Sequence, residues 1–486
     1  MSLKKNLVYN SLLSFSQVLF PLISIPYLTR VLHPDGLGRV SFVDSLTYYF
    51  VVVAEFGIVT YGIKQVSRLR HDRPALQKLV AELLSLHVLV SLVSIAIYTV
   101  AVLLMFDEIR DVRYLFFSFS FLLVNSFACE WYFWGTEEFR YITLRSFTTR
   151  LLGLISVFVL VNGSEDALIY YAIMVCASVG NMIWNTARLF SEVPLTFRNL
   201  NWRRHLPHLR ITYLISLVYS VVLMLDNVVL QLVSVSSAVA FYAYASRLVR
   251  LSTGLVTDSL IVFYPRTVSL AYHNENERLQ ATVLGASQLI LLATVPMAAG
   301  ILFLAEPFTV LYFGKNFLPV ASNLRILAVY PVIKAFSLFL NKQLLMSYDR
   351  EKDILRALVA GAIVFVALGI PLSYKYSDKG TCVALVISEA VVLLMNAFFV
   401  RRMRSGLRIL DVKSIVHAAA GSLLFWPVIR GGAVIQPALP ALLFELIACV
   451  LVYVLFLVYV VKNETALLAI RSLLPSVPLP KKGGGR

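Results

Sequence analysis

The sequence predicts an all-α polytopic membrane protein of about 14 transmembrane helices. Composition, the spacing of apolar windows and the placement of positive charge each lead there. Of 486 residues, 59% are apolar and 14% charged, and the mean hydropathy is +0.79. Soluble domains hold about 45–50% apolar and about 25% charged residues, so an ordinary soluble protein is excluded. Disorder is excluded too, because a chain this rich in Leu, Val, Ile and Phe can bury itself.

A helix crossing the roughly 30 Å hydrocarbon layer needs about 20 mostly apolar residues. Fourteen such windows run along the chain: 9–31, 40–63, 80–106, 113–134, 145–162, 167–190, 211–234, 238–264, 284–305, 322–347, 355–374, 380–400, 414–430 and 440–461. The first has no small-residue cleavage site and runs through Pro21 and Pro26 toward the second. It is therefore expected to stay as a span and not to be cleaved as a signal peptide. Of the 43 Lys and Arg, 30 fall to the inner segments, nine to the outer loops and four within spans when the N-terminus is placed inside and residues toward the window ends are counted with the adjoining loops. By the positive-inside rule both termini are expected to be cytoplasmic. The formal charge of +16 then reflects membrane topology and not nucleic-acid binding.

Connections between windows are short, so neither face carries a soluble catalytic domain. There is no GxxxxGK[ST], GxSxG or HExxH pattern, which excludes ATP hydrolysis within the chain and argues for a transporter over an enzyme. Cys129, Cys176, Cys382 and Cys449 lie in apolar stretches without a paired spacing. They read as small buried hydrophobes, and no metal site follows. The passage from span one through a short turn into span two is similar to that from span seven through Ser234–Ser237 into span eight. Paired repeats of this kind mark transporters. The expected division is 1–205 for spans one to six, 206–405 for spans seven to twelve, 406–465 for two extra helices and 466–486 for a loose tail.

A charge at mid-membrane costs roughly 2.5–3.5 kcal/mol, so survivors normally face a cavity or a partner. The cationic set is Arg247 and Arg250 on the eighth window, with Lys334 and Lys342 on the tenth. Facing lipid, four such residues would cost on the order of 10 kcal/mol. Arg247, Arg250, Gly254 and Asp258 share one helix face, and Lys334, Ser337 and Asn341 form a stripe of spacing three and four. At about 1.5 Å per residue, Arg247, Arg250 and Lys334 sit roughly 12–18 Å from the outer end, near the midplane. Two readings stand side by side. The cations line a cavity for an anion such as a diphosphate, for which Arg offers forked donors. Alternatively they pair with Asp226, Asp258 or Glu389, and Lys342 snorkels inward.

The acidic set is Asp44 and Glu55 on the second window, then Glu130, Asp226, Asp258, Glu389 and Glu445. Asp44, Tyr48, Val51 and Glu55 share a face. The first window carries a polar face of Asn10, Ser14, Gln17, Pro21 and Ser24. Buried carboxylates are the usual material of proton or sodium coupling, and they also balance buried cations. Asp44, Glu55 and Asp226 are the coupling candidates, and Pro21 and Pro26 the hinge candidates. Arg30, at the outer end of the first window, is a headgroup anchor or a gate residue. Trp131–Trp134 reads as a membrane-interface belt, and the acidic run Asp107–Asp111 as a solvated turn.

Local sequence then looks familiar. Pro26-Tyr27-Leu28-Thr29-Arg30-Val31-Leu32, followed by Gly36-Leu37-Gly38, Phe56-Gly57 and Tyr61-Gly62, resembles the opening of the polysaccharide transporter family, which includes the Wzx-type O-antigen flippases. Trp131 to Gly135 with Glu138 and Arg145 is similar to its fourth span and next loop. Phe313-Gly314-Lys315-Asn316-Phe317, Leu324-Arg325-Ile326-Leu327 and Gln343-Leu344-Leu345 look like its ninth-to-tenth span region. The likeness runs to about residue 400 and weakens in the last two spans.

The resemblance implies the multidrug/oligosaccharidyl-lipid/polysaccharide (MOP) flippase superfamily, with two six-helix lobes around a central cavity plus two further helices. It implies carriage of an undecaprenyl-diphosphate-linked oligosaccharide from the cytoplasmic to the periplasmic leaflet of a bacterial inner membrane, by alternating access. Arg247, Arg250 and Lys334, with Lys342 and Arg30 as further candidates, would meet the diphosphate. The phospholipid bilayer surrounds the chain, and O-antigen polymerase machinery is a candidate partner. No cofactor is expected beyond a proton or sodium ion for coupling. Lipid II export and drug or cation antiport are the alternatives within the superfamily. A membrane glycosyltransferase or O-antigen polymerase is the alternative from another class.

Overall fold

The computed structural model describes residues 3–69, 71–105, 111–195, 200–259, 267, 270–271, 273, 275–348, 350–403, 406–432 and 438–461. Among these residues every regular element is helical. The chain forms two compact units, one up to Ala240 and one from Phe241 onward. The tail 466–486 and the run 106–110 lie outside the described residues.

In the first unit α1 (Leu3–Val31) is helical throughout, with Pro21 and Pro26 inside it. A proline frees a carbonyl one turn earlier, and nearby hydroxyls can occupy such groups. Thr29 Oγ1 bonds to the carbonyl of Ile25 at 3.0 Å, and Ser24 Oγ to that of Pro21 at 3.4 Å. Helix α2 (Pro34–Glu55) starts on Pro34 after an extended His33, since proline is preset for the first helical position. It ends where Phe56 (φ 47°) and Gly57 (φ 73°) turn left-handed. Helix α3 (Ile58–Leu69) follows. The single window 40–63 is thus corrected to two helices, because hydropathy does not register two consecutive left-handed residues.

The window 113–134 matches one candidate span, Val112–Gly135, but carries a similar break. It divides into α5 (Val112–Asn125) and α6 (Glu130–Gly135), separated by a turn ending at left-handed Cys129 (φ 47°). The remaining helices here are α4 (Arg73–Met105), α7 (Phe139–Leu160), α8 (Ala167–Glu192), α9 (Leu206–Val233) and the start of α10 (Ser236–Ser259). Asp111, the described end of the acidic run, caps α5 by accepting from the Arg113 amide at 2.9 Å. The Arg113 side chain also holds its carboxyl below the ordinary range.

Within this unit α1 packs on α7, α2 on α4 and α9, α3 on α6, and α5 and α7 on α8. The two helix breaks meet in one apolar core containing Ile58, Val66, Leu83, Cys129, Trp131 and Phe133. A Cβ on Gly62 would lie 2.7 Å from the Trp131 ring, so only glycine allows α3 this approach. Trp131, Tyr132 and Phe133 are 2%, 5% and 0% exposed. The interface-belt reading of this cluster is therefore overturned. The break before α6 turns these rings inward against α3, where composition alone had placed them at the membrane surface.

The second unit opens with the rest of α10. It continues through α11 (Asn276–Tyr312), α12 (Pro319–Leu327), α13 (Tyr330–Phe339) and a π turn, Leu340–Leu345. Helical geometry is recorded continuously over α14 (Glu351–Met403) except at Ser377 (φ 55°, ψ −134°), which reverses the chain into two arms. Ser373 and Thr381 hydroxyls bond across the reversal at 2.7 Å, and Asn323 donates to Asp378 beside it at 2.7 Å. Helices α15 (Val412–Leu423), α16 (Phe425–Gly432) and α17 (Ala438–Leu455) close the unit, packed on α11 around Leu292, Phe425 and Tyr453.

Ten helices among the described residues are long and apolar enough to cross a membrane. Helices α1, α9 and α10, matching the first, seventh and eighth windows, are not among the ten, and α14, which is, contains the eleventh and twelfth. Large apolar side chains such as Leu92, Ile97, Ile155, Leu394 and Val450 are exposed. So much exposed apolar surface belongs against lipid. Cys129, Cys382 and Cys449 are buried as expected, whereas Cys176 is exposed on α8.

Candidate functional site

Each unit holds its own cluster of buried charge. In the second unit, Lys334 on α13 donates from Nζ to Glu389 Oε1 at 2.6 Å, with side chains 15% and 5% exposed. Lys334 thus has the partner that the pairing alternative named. Tyr330, one turn before Lys334, is hydrogen-bonded by Arg250 and lies in the field of both Lys334 and Glu389. One ladder step on, Asn396 Nδ2 donates to Ser337 Oγ at 3.1 Å. Arg250, Tyr330, Lys334 and Glu389 therefore form one continuous polar cluster. Ser337, Asn341 and Asn396 extend it.

The cluster is not closed. Glu389 Oε2, Asn341 Oδ1 and Asn396 Oδ1 are buried and make no hydrogen bond among the described residues. The π turn that follows α13 carries Asn341, Lys342 and Gln343. Such turns widen a helix locally and are frequent at functional sites. Gln343 Oε1 accepts from Thr267 at 3.1 Å. Lys342 is half-buried and lies outside the Lys334–Glu389 contact. Arg247 is exposed, its charge reaching Tyr312. A Cβ on Gly254 would meet nothing within 4 Å, so the face of Arg247 and Arg250 adjoins open space. The side chain of Asp258 lies outside the described ones. Glu445 is buried on α17.

In the first unit the charges gather at the helix breaks. Arg145 Nη2 donates to Glu130 Oε1 at 2.6 Å; the arginine side chain is 1% exposed and the carboxylate 48%. Glu55, at the end of α2, lies beside Asn125 and feels the charge of Glu130. Arg150, one and a half turns beyond Arg145, donates from Nη1 to Ser16 Oγ at 2.5 Å. Asp44 and Asp226 flank a separate contact, where Asn227 Nδ2 donates to Ser45 Oγ at 2.9 Å. Asp44 is half-buried and Asp226 buried. Between these sites Thr47 Oγ1 donates to Ser118 Oγ (3.2 Å), which bonds Tyr171 at 3.0 Å, while Tyr98 meets Thr47 at 3.3 Å.

The three coupling candidates thus sit at two places, Glu55 at the breaks and Asp44 with Asp226 at the α2–α9 contact. Arg30 is exposed and donates to the carbonyl of Pro26 at 2.6 Å. Of the polar face of α1, the side chains of Asn10 and Ser14 lie outside the described ones. Sequence reasoning missed Arg150, and the ion pair of Arg145, because both were counted with the adjoining loop. The signal was available: two arginines at spacing five inside what is one helix.

Comparison with known proteins gives these clusters a setting. A solved "Lipid II flippase MurJ, inward closed conformation" superposes with a TM-score of 0.71 at 15% identity, covering 96% of this chain and 100% of the other. A solved inward-facing multidrug resistance MATE transporter of the MOP superfamily gives 0.66 at 15% identity, covering 80% and 95%. The protein entitled "Putative O-antigen transporter" of Escherichia coli (strain K12) is 22% identical over 412 residues, 82% of this chain and 97% of its own length. The class that fold and relatives define is a multi-pass membrane transporter of the MOP flippase type. Residues 3–271 match the model of the family described as "Polysaccharide biosynthesis protein". The chain belongs to that family.

Proposed function

We propose that the protein moves a lipid-linked oligosaccharide, an undecaprenyl-diphosphate-linked O-antigen repeat unit, from the cytoplasmic to the periplasmic leaflet of a bacterial inner membrane. The buried cluster of Arg250, Tyr330, Lys334 and Glu389 carries this reading. A diphosphate needs cations held in a low-dielectric site, where charge-assisted bonds are strongest. Here Lys334 meets Glu389 at 2.6 Å and Arg250 meets Tyr330 in the same cluster, and an arriving anion joins these cations. Arg247 and Lys342 stand at its margins, and Arg30 holds the headgroup level. The polyprenyl tail remains in lipid, so no pocket of matching length is required.

Alternating access moves the headgroup, with Pro21 and Pro26 as the flexible points of α1. A proton or sodium ion resets the carrier on Asp44, Glu55 or Asp226. Glu55 is favoured because a second carboxylate, Glu130, lies beside it, and neighbouring carboxylates are suited to exchanging a proton. The names of the relatives support an O-antigen substrate, and a second set of names supports lipid II. A "Lipid II flippase MurJ" of Bacillus subtilis (strain 168) is 26% identical over 162 residues, 33% of this chain and 30% of its own length.

The test is mass spectrometry of lipid retained by the purified protein, wild type beside Arg247→Gln/Arg250→Gln/Lys334→Gln. The reading expects a polyprenyl-diphosphate glycan that is lost in the variant. Retained lipid II would transfer the site to that substrate. Absence of any polyprenyl diphosphate in wild type would overturn the reading in favour of drug or cation antiport.

A further inference from the structure

One end of the first unit carries a basic surface that the transport cycle does not use. It is built around the starts of α4 and α9, and the ends of spanning helices stand at the level of lipid headgroups. Helix α3 forms one side. Its Ile58, Tyr61, Gly62 and Val66 are buried, whereas Lys64, Ser67 and Arg68 are exposed. A short 3-10 turn, Trp202–Arg204, forms the other.

Two contacts set the register between these sides. Tyr61 bonds His205 at 2.8 Å, and Phe56, just before α3, meets the Tyr213 ring on α9 at 4.9 Å. The two segments therefore run antiparallel. Lys64 and Arg68, one and two turns past Tyr61, lie beside the residues that precede His205. In agreement, Arg68 and Arg204 both act on Tyr61. Lys78, one turn before Glu82 on α4, and Arg203 are exposed and complete a set of cations on three elements.

A loop that only obeys the positive-inside rule needs no fixed shape, but this segment is pinned. Glu82, its side chain 0% exposed, pairs with Arg204 and with His205, the latter at 2.9 Å. It also accepts from the Asn201 amide at 3.0 Å. The buried carboxylate thus neutralises one arginine and anchors the turn. Lys64, Arg68, Lys78 and Arg203 have no acidic partner among the described residues. Asp72, between α3 and α4, accepts from the Ala75 amide at 3.2 Å. Trp202 and Leu206, on the pinned segment, are each 38% exposed.

Unpaired cations beside an exposed tryptophan and leucine suit a membrane surface of negative headgroups. Arginine takes phosphate oxygens with forked, charge-assisted bonds, and a segment already held in place costs less to order on binding. The cations are spread over α3, α4 and the turn, which matches several singly charged headgroups better than one compact diphosphate. A zwitterionic headgroup would bring an ammonium to a surface dominated by cations. We propose that this surface binds anionic phospholipid of the phosphatidylglycerol type, as a site separate from the transported substrate.

The full-length protein would be titrated in detergent with phosphatidylglycerol or phosphatidylethanolamine, and bound lipid counted by native mass spectrometry. Wild type would be compared with Lys64→Gln/Arg68→Gln/Arg203→Gln and with the charge-matched Arg401→Gln/Arg402→Gln/Arg408→Gln of the second unit. All six positions are exposed, so folding is expected to survive. The expected result is a preference for phosphatidylglycerol in wild type, a fall of about tenfold or more in the first variant and little change in the second. Equal falls in the two variants, equal binding of the two lipids, or displacement of phosphatidylglycerol by an equal amount of polyprenyl diphosphate would overturn the proposal. Glu82→Gln separates anchoring from charge. It removes a negative charge, so charge alone predicts more phosphatidylglycerol bound, whereas loss of the anchor predicts less, and an increase would refute the pinned site. Photoreactive phosphatidylglycerol gives an independent readout on the wild type. Label on peptides covering 58–69 and 201–210 supports the site, and label only elsewhere refutes it.

Discussion

The Arg145–Glu130 pair of the first unit and the Lys334–Glu389 pair of the second are buried in opposite ways. In the first, Arg145 is sealed at 1% exposure while its partner Glu130 stays 48% exposed, so the carboxylate end of the pair remains hydrated. In the second, Lys334 and Glu389 are both inside, at 15% and 5%, and the carboxylate has a further oxygen without a donor. A pair with one hydrated end can be held for its structural value alone. A pair with both ends desolvated is a weak source of stability, because the desolvation penalty rivals the Coulombic gain. Its retention in the second unit points to a use beyond folding, and that is why substrate binding is placed there.

The largest effect should come from breaking the sealed pair. Lys334→Gln or Glu389→Gln alone leaves an uncompensated buried charge and should cost about 3–5 kcal/mol. The double variant should recover most of that stability in denaturant unfolding while losing substrate retention. If the double variant is as unstable as the singles, the contrast between the units fails. Next is packing at the helix breaks of the first unit. Gly62→Leu drives a side chain into the Trp131 ring and should cost about 1–3 kcal/mol, as overpacking does.

The Arg145–Glu130 pair should then respond unequally. Glu130→Gln removes a half-exposed carboxylate and leaves the buried arginine unpaired, so it should destabilise more than Arg145→Gln, which strands only a hydrated group. Equal losses would mean that the exposure difference has no energetic consequence. A smaller change is expected at Asp411, which caps α15 by accepting from the Lys413 amide at 3.2 Å and Ser414 Oγ at 2.9 Å. Asp411→Ala should cost about 0.5–2 kcal/mol.

The smallest effect is on pH. His205 bonds Glu82 at 2.9 Å and Tyr61 at 2.8 Å. Burial lowers its pKa, with the Glu82 bond opposing. The unfolded chain then binds the proton more readily, so stability should fall as pH drops below the ordinary histidine value of about 6.5. His205→Gln should flatten that slope in thermal unfolding scans between neutral and acid pH.

How much of this was legible in the sequence follows the same physics. The helical character of the apolar windows was readable, and so was the need for a partner at Lys334, because a lysine among apolar residues must be answered wherever the helix sits. Glu389 was readable as one of several partners, but only the packing of α13 on α14 selected it. The breaks at Phe56 and Cys129 were not readable, since neither residue type is a usual left-handed position. Missing them had a consequence: Trp131 was placed at the membrane surface. The π turn under Asn341 and Lys342 was equally hidden, because its pattern of apolar residues is that of an ordinary helix.

The most direct measurement is transport itself. Vesicles carrying a polyprenyl-diphosphate oligosaccharide in the inner leaflet would be probed from outside with a membrane-impermeant glycan-binding reagent. The account predicts that wild-type protein exposes the inner pool, and that Lys334→Gln/Glu389→Gln, stable but lacking the buried charge, does not. Exposure no faster than in protein-free vesicles would contradict flipping. Undiminished exposure in the double variant would contradict the assignment of the substrate site to the second unit.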